Sequence, residues 1–214
     1  MSVKINIARP FGPYIAKISV PDEFISAINE YTAGIIENPK DVQHLDWSER
    51  LVGKTHQELK ITDEVLEPFQ SFLIQNVEAY LHQIIANGVN NYSTSEWKIT
   101  RRNAWVVRSF AGDFNPMHVH NNADICMAGF TQTPDWSEEL AEDAQDHAPS
   151  RGQLCFRYGN AEEWGSNLIK LVPEVGDCYI FPANLTHFVY PFKSTGERRS
   201  FSINFKRTFL KDNV

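Results

Sequence analysis

The apolar positions in the first part of the chain follow two helical repeats. The first lies between Pro21 and Asn38, with apolar residues at Phe24, Ile28, Tyr31 and Ile35. The second begins at Thr62 and ends at Asn87, with apolar residues at Leu66, Phe69, Leu73, Val77, Leu81 and Ile84. Spacings of three and four residues are those of a helix that buries one face. We therefore predict two helices lying on the outside of a sheet, and we expect Pro68 to be tolerated near the start of the second.

The rest of the chain is dominated by short β-forming runs. Two precede the first helix, at 3–7 and 14–18, and the others are 96–100, 103–110, 125–131, 153–158, 177–181 and 200–209. The stretch from 40 to 60 is polar and irregular. Short strands that follow one another without helices are typical of an antiparallel sandwich or jelly roll. The predicted fold is mainly β with flanking helices (α+β).

The chain length and the amino-acid composition fit a single domain. A chain of 214 residues can bury a substantial core, so we expect a single domain over 1–214, with supporting strands and helices in 1–95 and the β core in 96–210. With 42% hydrophobic and 22% charged residues the composition is that of a soluble globular protein. No run is long enough for a membrane span, and the N-terminus lacks the apolar segment of a signal peptide. We expect a cytoplasmic protein without membrane association.

Charge and cysteine usage exclude several functions. A net charge of −7 argues against general nucleic-acid binding. The three cysteines, Cys126, Cys155 and Cys178, form no CxxC pair, which argues against a zinc finger or a disulfide framework. We expect buried free thiols. Composition leaves a homodimer open.

The clearest candidate chemistry is a His-x-His pair behind a turn rich in Gly, Asn and Pro. His118 and His120 are two residues apart, and on an extended strand such residues project to one side about 6.6 Å apart. Imidazole is a common ligand of zinc and iron, but two ligands make an open chelate. His187 is the best candidate for the third, because it follows a short apolar strand that begins after Gly176-Asp177.

A cationic strand follows this third histidine. Residues 198–205 alternate so that Arg198, Ser200, Ser202 and Asn204 share one face. A cation on that face is suited to a carboxylate. Arg199 projects to the other face, where we expect a surface charge.

The ordered set of His-x-His, a distal His and Arg-x-Ser eleven residues later resembles the iron(II)/2-oxoglutarate-dependent oxygenases. It is most similar to the branch that carries H-x-H in place of the commoner H-x-D/E. The resemblance covers most of the chain, and its specific part runs from about 103 to 208.

The resemblance implies a double-stranded β-helix, a jelly-roll or cupin-like fold with helices packed on one sheet. It also implies that iron(II) is held by His118, His120 and His187 and that 2-oxoglutarate pairs with Arg198. Ser200 and Asn204 are further cosubstrate-binding candidates on the same strand, and Arg108 is another on a nearby strand. The implied activity consumes dioxygen, hydroxylates an unidentified prime substrate and releases succinate and CO2.

Three questions stay open at this point. Asp124 offers a carboxylate that competes with His120 for the middle ligand position. A three-histidine dioxygenase that does not use 2-oxoglutarate, or a non-catalytic cupin-like metal-binding domain, would have the same ligands. Finally, the acidic segment 133–151 is either a solvated loop or a mobile lid over the site.

Overall fold

The computed structural model describes residues 5–8, 12–38, 43–50, 53–87, 97–137, 139, 151–160 and 166–209. Its strands, in chain order, are β1 (Asn6–Ala8), β2 (Ile15–Ser19), β3 (Gln57–Lys60), β4 (Trp97–Ser109), β5 (Asn115–His118), β6 (Ile125–Gln132), β7 (Leu154–Arg157), β8 (Leu168–Leu171), β9 (Asp177–Pro182), β10 (Thr186–Val189) and β11 (Arg198–Phe209). The helices are α1 (Asp22–Glu37), α2 (Asp63–Leu66) and α3 (Gln70–Ala86).

The strands form two antiparallel sheets. The larger has the order β1-β2-β9-β6-β11-β4-β3, and the smaller has the order β5-β10-β7-β8. Apolar side chains from both sheets, among them Phe130, Phe156 and Phe181, pack into one buried cluster between them. This arrangement is the jelly roll of the predicted fold class, which is confirmed.

The helices cover the outer face of the larger sheet. Phe24 and Ile28 of α1 and Leu73 and Val77 of α3 are fully buried in a second cluster, together with Phe201 of β11. Burying an apolar helix stripe against a sheet is the main source of helix stability in such a domain. Among the described residues, no helix is long and apolar enough to cross a membrane.

The second predicted helix is interrupted. Between α2 and α3, residues Glu67–Phe69 form one 3-10 turn that contains Pro68. Proline has no N–H for the helical ladder and its ring collides with the carbonyl of residue i−4, here Glu64. The expectation of one continuous helix is therefore wrong at this point.

The predicted strands are largely confirmed, with corrections. The runs predicted at 96–100 and 103–110 form the single strand β4 (Trp97–Ser109), which pairs with β11 over almost its whole length; residue 96 lies outside the described residues. The irregular stretch 40–60 contains β3, which pairs with the end of β4. Three further short strands, β5, β8 and β10, were not among the predicted runs, and β5 includes residues predicted to belong to the turn before His118. The three cysteines are free and buried as expected.

Candidate metal centre

The three candidate histidines converge at one end of the smaller sheet. His118 is the last residue of β5 and lies opposite His187 in the β5–β10 ladder. The N–H of His120 donates to the carbonyl of Ala183 (2.9 Å) in the turn before β10, which directs the chain after β5 back toward His187. The candidate ligand atoms of the three residues all lie within 4.8 Å of one another.

Backbone carbonyls fix the tautomers of two of these imidazoles. Nδ1 of His118 lies 2.7 Å from the carbonyl of Pro116, and Nδ1 of His187 lies 2.8 Å from the carbonyl of Leu185. Because a carbonyl can only accept, each Nδ1 carries the proton and each Nε2 keeps its lone pair. This is the usual way a protein orients a histidine toward a metal.

His120 is held from the larger sheet. Its Nδ1 lies 2.7 Å from Oδ1 of Asn204 on β11, and Sγ of Cys126 on β6 lies 2.8 Å from the same nitrogen. The Cys126 thiol also donates to Asn204 Oδ1 (2.9 Å). Asn204, predicted to contact the cosubstrate, therefore contacts a metal-ligand candidate and orients it.

The spacing of the nitrogens fits one small ion. Nε2 of His120 lies 3.2 Å from Nε2 of His187. Two ligands at right angles, each about 2.1 Å from a metal, would lie about 3 Å apart. Ligation of a shared ion removes the unfavourable contact between two lone pairs.

Burial keeps these imidazoles neutral. It lowers the pKa of His187 to about 3, with smaller effects from His118 and His120. Burial likewise lowers the pKa of His120 to about 4 and lowers the pKa of His118. Neutral imidazoles offer their lone pairs at neutral pH, so this donor set fits a divalent transition metal such as iron(II).

The structure places Asp124 outside the centre. Its carboxylate accepts hydrogen bonds from Nζ of Lys206 (3.0 Å) and from the N–H of Arg207 (2.7 Å). The metal-binding cluster among the described residues contains the three histidines and no carboxylate. Of the two candidates for the middle ligand, the geometry favours His120.

The histidines open into a cavity of about 560 Å³ whose wall includes Arg198, Ser200 and Asn204. Arg198 is 2% exposed. Its Nε donates to the carbonyl of Gly152 (3.0 Å) and its Nη1 to Ser200 Oγ (3.1 Å), while its guanidinium lies 4.9 Å from the ring centre of Phe130.

Arg198 remains a cation in this setting. Burial lowers its pKa to about 10, still well above neutral. Among the described residues, no carboxylate pairs with it within 4.0 Å. A buried cation is costly without a counter-charge, so the cavity is prepared for an anionic ligand whose carboxylate matches the guanidinium fork.

Arg108 and Arg199 lie opposite each other on the other face of the larger sheet. Both pair with Glu197, at 3.0 Å and 2.7 Å. The structure therefore does not bring Arg108 to the metal centre, and Arg199, only 7% exposed, is a buried ion-pair partner rather than a surface charge. The sequence signal was Glu197 itself, which shares the strand face of Arg199.

Sequence reasoning missed several residues at the site. The ring centre of Trp105 lies 5.3 Å from that of His120, and Trp47 and Glu58 line the same cavity. The alternation of β4 places Trp105 on the cavity face. The sequence indicated Trp47 only as an anchor of the irregular stretch 40–60, and it did not indicate Glu58, because β3 was not predicted.

The acidic segment 133–151 lies mostly outside the described residues. Two of its acids are described. Asp135 is exposed and accepts a hydrogen bond from the N–H of Ser137. Glu139 is buried, and its carboxylate accepts hydrogen bonds from the N–H groups of Lys193 and Ser194. The lid hypothesis stays a prediction.

Fold and site together define a jelly-roll protein with a three-histidine centre for one metal ion. Residues 103–204 match the sequence profile of a family described as "Putative 2OG-Fe(II) oxygenase". This range contains all three histidines together with Arg198 and Ser200. The resemblance to the iron(II)/2-oxoglutarate oxygenases is thereby confirmed, and the match and the centre together bear out iron(II) and 2-oxoglutarate as cofactors.

Solved structures with this fold include several hydroxylases. A prolyl-4-hydroxylase from Pseudomonas putida has a TM-score of 0.59 at 13% identity, covering 91% of this chain and 92% of its own. A prolyl hydroxylase from Trichoplax adhaerens, solved with a hypoxia inducible factor peptide, has a TM-score of 0.55 at 14% identity, covering 92% and 83%. A viral collagen prolyl hydroxylase from Paramecium Bursaria Chlorella virus-1, solved with 2-oxoglutarate, has a TM-score of 0.53 at 13% identity, covering 92% and 97%.

At these identities the likeness shows the shared fold alone. No sequence among the curated proteins matches this chain.

Proposed function

We propose that the protein is an iron(II)- and 2-oxoglutarate-dependent dioxygenase that hydroxylates a C–H bond of a prime substrate and releases succinate and CO2. The observation that carries this proposal is the placement of three neutral histidines and a buried, carboxylate-free arginine in one cavity. The family match of residues 103–204 supports it.

Each side chain has a definable task. His118, His120 and His187 would hold the ion from one side, leaving the cavity side for the cosubstrate and dioxygen. Bound iron(II) supplies the activation of dioxygen, coupled to oxidative decarboxylation of the 2-oxo acid. Arg198 and Ser200 would bind the far carboxylate of 2-oxoglutarate, at the base of the cavity.

The charge of the ligand set favours binding of the oxoacid. Three neutral imidazoles leave the ion's full double positive charge in place, whereas a carboxylate ligand would remove part of it. An anionic 2-oxo acid is therefore attracted by both the ion and Arg198. Apolar wall residues, Phe130, Leu154 and Val189, keep water away from this contact and so strengthen it.

An anaerobic titration tests the proposal. Adding 2-oxoglutarate to the iron(II)-loaded protein should produce the weak visible absorption of a chelated 2-oxo acid. When air is then admitted in the presence of a substrate that the enzyme hydroxylates, succinate should be released. Iron binding without that absorption would favour a three-histidine dioxygenase that does not use 2-oxoglutarate. Failure to bind iron would leave a non-catalytic domain.

Arg198→Ala tests the cosubstrate assignment. Loss of a buried charge-assisted pair should cost about 2 kcal/mol or more, roughly 30-fold in affinity for 2-oxoglutarate, while iron stays bound. The matched control is Arg157→Ala, which removes an exposed arginine of β7 and should leave both affinities unchanged. Unaltered 2-oxoglutarate affinity in Arg198→Ala would contradict the assignment.

A further inference from the structure

The arginine end of the cavity contains a buried hydroxyl that has no task in the proposed chemistry. Ser109, the last residue of β4, lines the cavity together with Arg198 and is only 4% exposed. We propose that Ser109 binds the far carboxylate of the 2-oxo acid alongside Arg198 and Ser200, and thereby selects an acid that has a second carboxylate. This inference rests on the proposed oxygenase function and assigns its cosubstrate site a further specificity-determining residue.

Strand register brings Ser109 next to Arg198. The two residues lie directly opposite each other in the β4–β11 ladder, and such residues project from the same face with their Cβ atoms about 4.5–5.5 Å apart. The alternation of β4 agrees, because Val107 and Trp105, two and four residues before Ser109, line the same cavity. Ser200 follows Arg198 by two residues on β11 and shares this face, so the two hydroxyls approach the guanidinium from neighbouring strands.

The Ser109 hydroxyl is not engaged within the protein. Among the described residues, none forms a hydrogen bond with it, and Arg198 donates to Gly152 and Ser200 instead. Most buried polar side-chain atoms in folded proteins have a hydrogen-bond partner. A buried hydroxyl that lines a cavity without such a partner is therefore available to a ligand in that cavity.

The donors at this end of the cavity match the acceptors of one carboxylate. An ionised carboxylate has about four lone-pair positions on its two oxygens. Arg198 uses its Nε hydrogen and one Nη1 hydrogen within the protein, and the remaining end of the guanidinium fork can form two parallel bonds to the ligand. The hydroxyls of Ser109 and Ser200 can donate to the other two positions. Without Ser109, one position on a buried anion would lose its donor, which is costly.

The surroundings make this selection strict. The ring centre of Phe130 lies 4.9 Å from the Arg198 guanidinium, and Arg198 itself is 2% exposed. Hydrogen bonds are stronger in such a setting, and unpaired polar groups are more costly. A 2-oxo acid that ends in a methyl group would leave the arginine and both hydroxyls without partners. A site built in this way rejects an analogue that lacks the recognised group.

Two 2-oxo acids that differ only at the far end test this inference. 2-Oxoglutarate ends in a carboxylate, whereas 2-oxopentanoate has the same carbon chain and ends in a methyl group. The affinity for each is measured under argon on the iron(II)-loaded protein, from the absorption of the chelated oxo acid. Because both acids chelate the ion with the same groups, the ratio of the two affinities reports on the far carboxylate. Ser109→Ala should lower the affinity for 2-oxoglutarate about tenfold or more and leave the affinity for 2-oxopentanoate unchanged.

Ser109→Cys separates the hydroxyl from the size of the side chain. A thiol fills a similar volume but is a weak donor, so this variant should lose affinity for 2-oxoglutarate as Ser109→Ala does. It also serves as the second variant if Ser109→Ala does not fold. The matched control is Ser202→Ala. Ser202 lines the same cavity but lies opposite Trp105, four residues or about 13 Å along the strand from Arg198, so the ratio should stay that of the unmodified protein.

An unchanged ratio in Ser109→Ala overturns the inference, as does a Ser109→Cys variant that keeps the affinity for 2-oxoglutarate. An equal loss of affinity for both acids also overturns it, because Ser109 would then act on the fold and not on the far carboxylate. The outcome is separable from that of the proposed function. Absorption with 2-oxoglutarate in the unmodified protein tests the oxygenase assignment without any variant, and if it does not appear, the proposed function fails and this inference fails with it.

Discussion

At the residue scale, His120 is the side chain on which the metal-ligand assignment depends, because the metal-binding cluster of the described residues contains three histidines and no carboxylate. We expect His120→Ala to abolish tight iron binding, because two imidazoles remain as an open chelate. Asp124→Ala should keep one iron per chain, since Asp124 contacts Lys206 and Arg207 instead. Elemental analysis after chelation and reconstitution measures both.

His120→Asp refines this test. An aspartate there recreates the His-x-Asp pattern of the resembled superfamily, so we expect partial retention of iron. Should Asp124→Ala empty the site while His120→Ala keeps it filled, the ligand set would be His118, Asp124 and His187.

Asn204 provides the second test at this scale. Its carbonyl oxygen accepts from His120 Nδ1 and so directs Nε2 toward the ion. Because removal of such an orienting partner typically costs 10- to 100-fold in metal affinity, Asn204→Ala should lower iron affinity by about tenfold or more. The control is Asn103→Ala, an exposed cavity residue. Equal iron affinities in the two variants would show that Asn204 has no orienting role.

How much of the site the sequence predicts depends on the kind of contact. The three histidines and Arg198 were found because two-residue alternation and motif order are visible in one dimension. The pairing of Asn204 with His120 was not found, because it joins residues 84 positions apart and because Asn204 lies at a register shift of the β11–β4 ladder, between Ile203 and Phe205. Arg108 was misassigned because its partner Glu197 is likewise distant in sequence.

At the element scale, the central strand β6 leaves no room for a side chain at Gly129. A Cβ there would lie 2.6 Å from the ring of Phe201 and 2.7 Å from the carbonyl of Asp177. Gly129→Ala should therefore lower the free energy of unfolding by about 1–3 kcal/mol through overpacking. Chemical denaturation measures the change.

At Gly34 we expect a glycine-to-alanine substitution to stabilise the protein rather than destabilise it. It is exposed on α1, and a Cβ there meets nothing within 4 Å. Gly34→Ala should raise the free energy of unfolding by about 0.5–1 kcal/mol, because alanine is the better helix former. Similar effects of both substitutions would contradict the packing described for β6.

The elements themselves were predicted where the apolar pattern was long. Helix α1 and strands β6, β9 and β11 have enough periodic positions to be recognised. Strands β3, β8 and β10 have four residues each, too few for a period to show, and they are specified by pairing with neighbours rather than by local preference.

At the scale of the whole molecule, the metal centre joins the two sheets. His118 and His187 belong to β5 and β10 of the smaller sheet, whereas His120 is held by Asn204 of the larger one. An ion bound only by the folded arrangement stabilises the fold by mass action, by about 2.7 kcal/mol at a free concentration 100 times its dissociation constant. Iron(II) should therefore raise the melting temperature, and chelation should reverse the rise.

The same centre should make the free energy of unfolding of the metal-free protein decrease as soon as the pH falls below about 6.5. The pKa of His120 is lowered from 6.5 to about 4 and that of His187 to about 3, chiefly by burial. Between these values and 6.5 the unfolded chain binds protons that the folded protein does not. Stability is therefore complete above pH 6.5 and falls as the pH decreases, by about 1.4 kcal/mol per pH unit for each imidazole that stays neutral.

The effect of the histidines can be measured between pH 6.5 and about 4.5. Below pH 4.5 the unfolded chain also protonates Glu197, whose pKa is lowered from 4.5 in the folded protein, and this carboxylate then adds its own loss of stability. Urea denaturation of the metal-free protein across this window should give a clear slope, and His187→Gln should make it shallower by removing one of the contributing groups. His82→Gln, at an exposed position of α3, should leave the slope unchanged. A slope insensitive to His187→Gln would mean that the buried imidazoles do not resist protonation, and that the centre is open to water in the absence of metal.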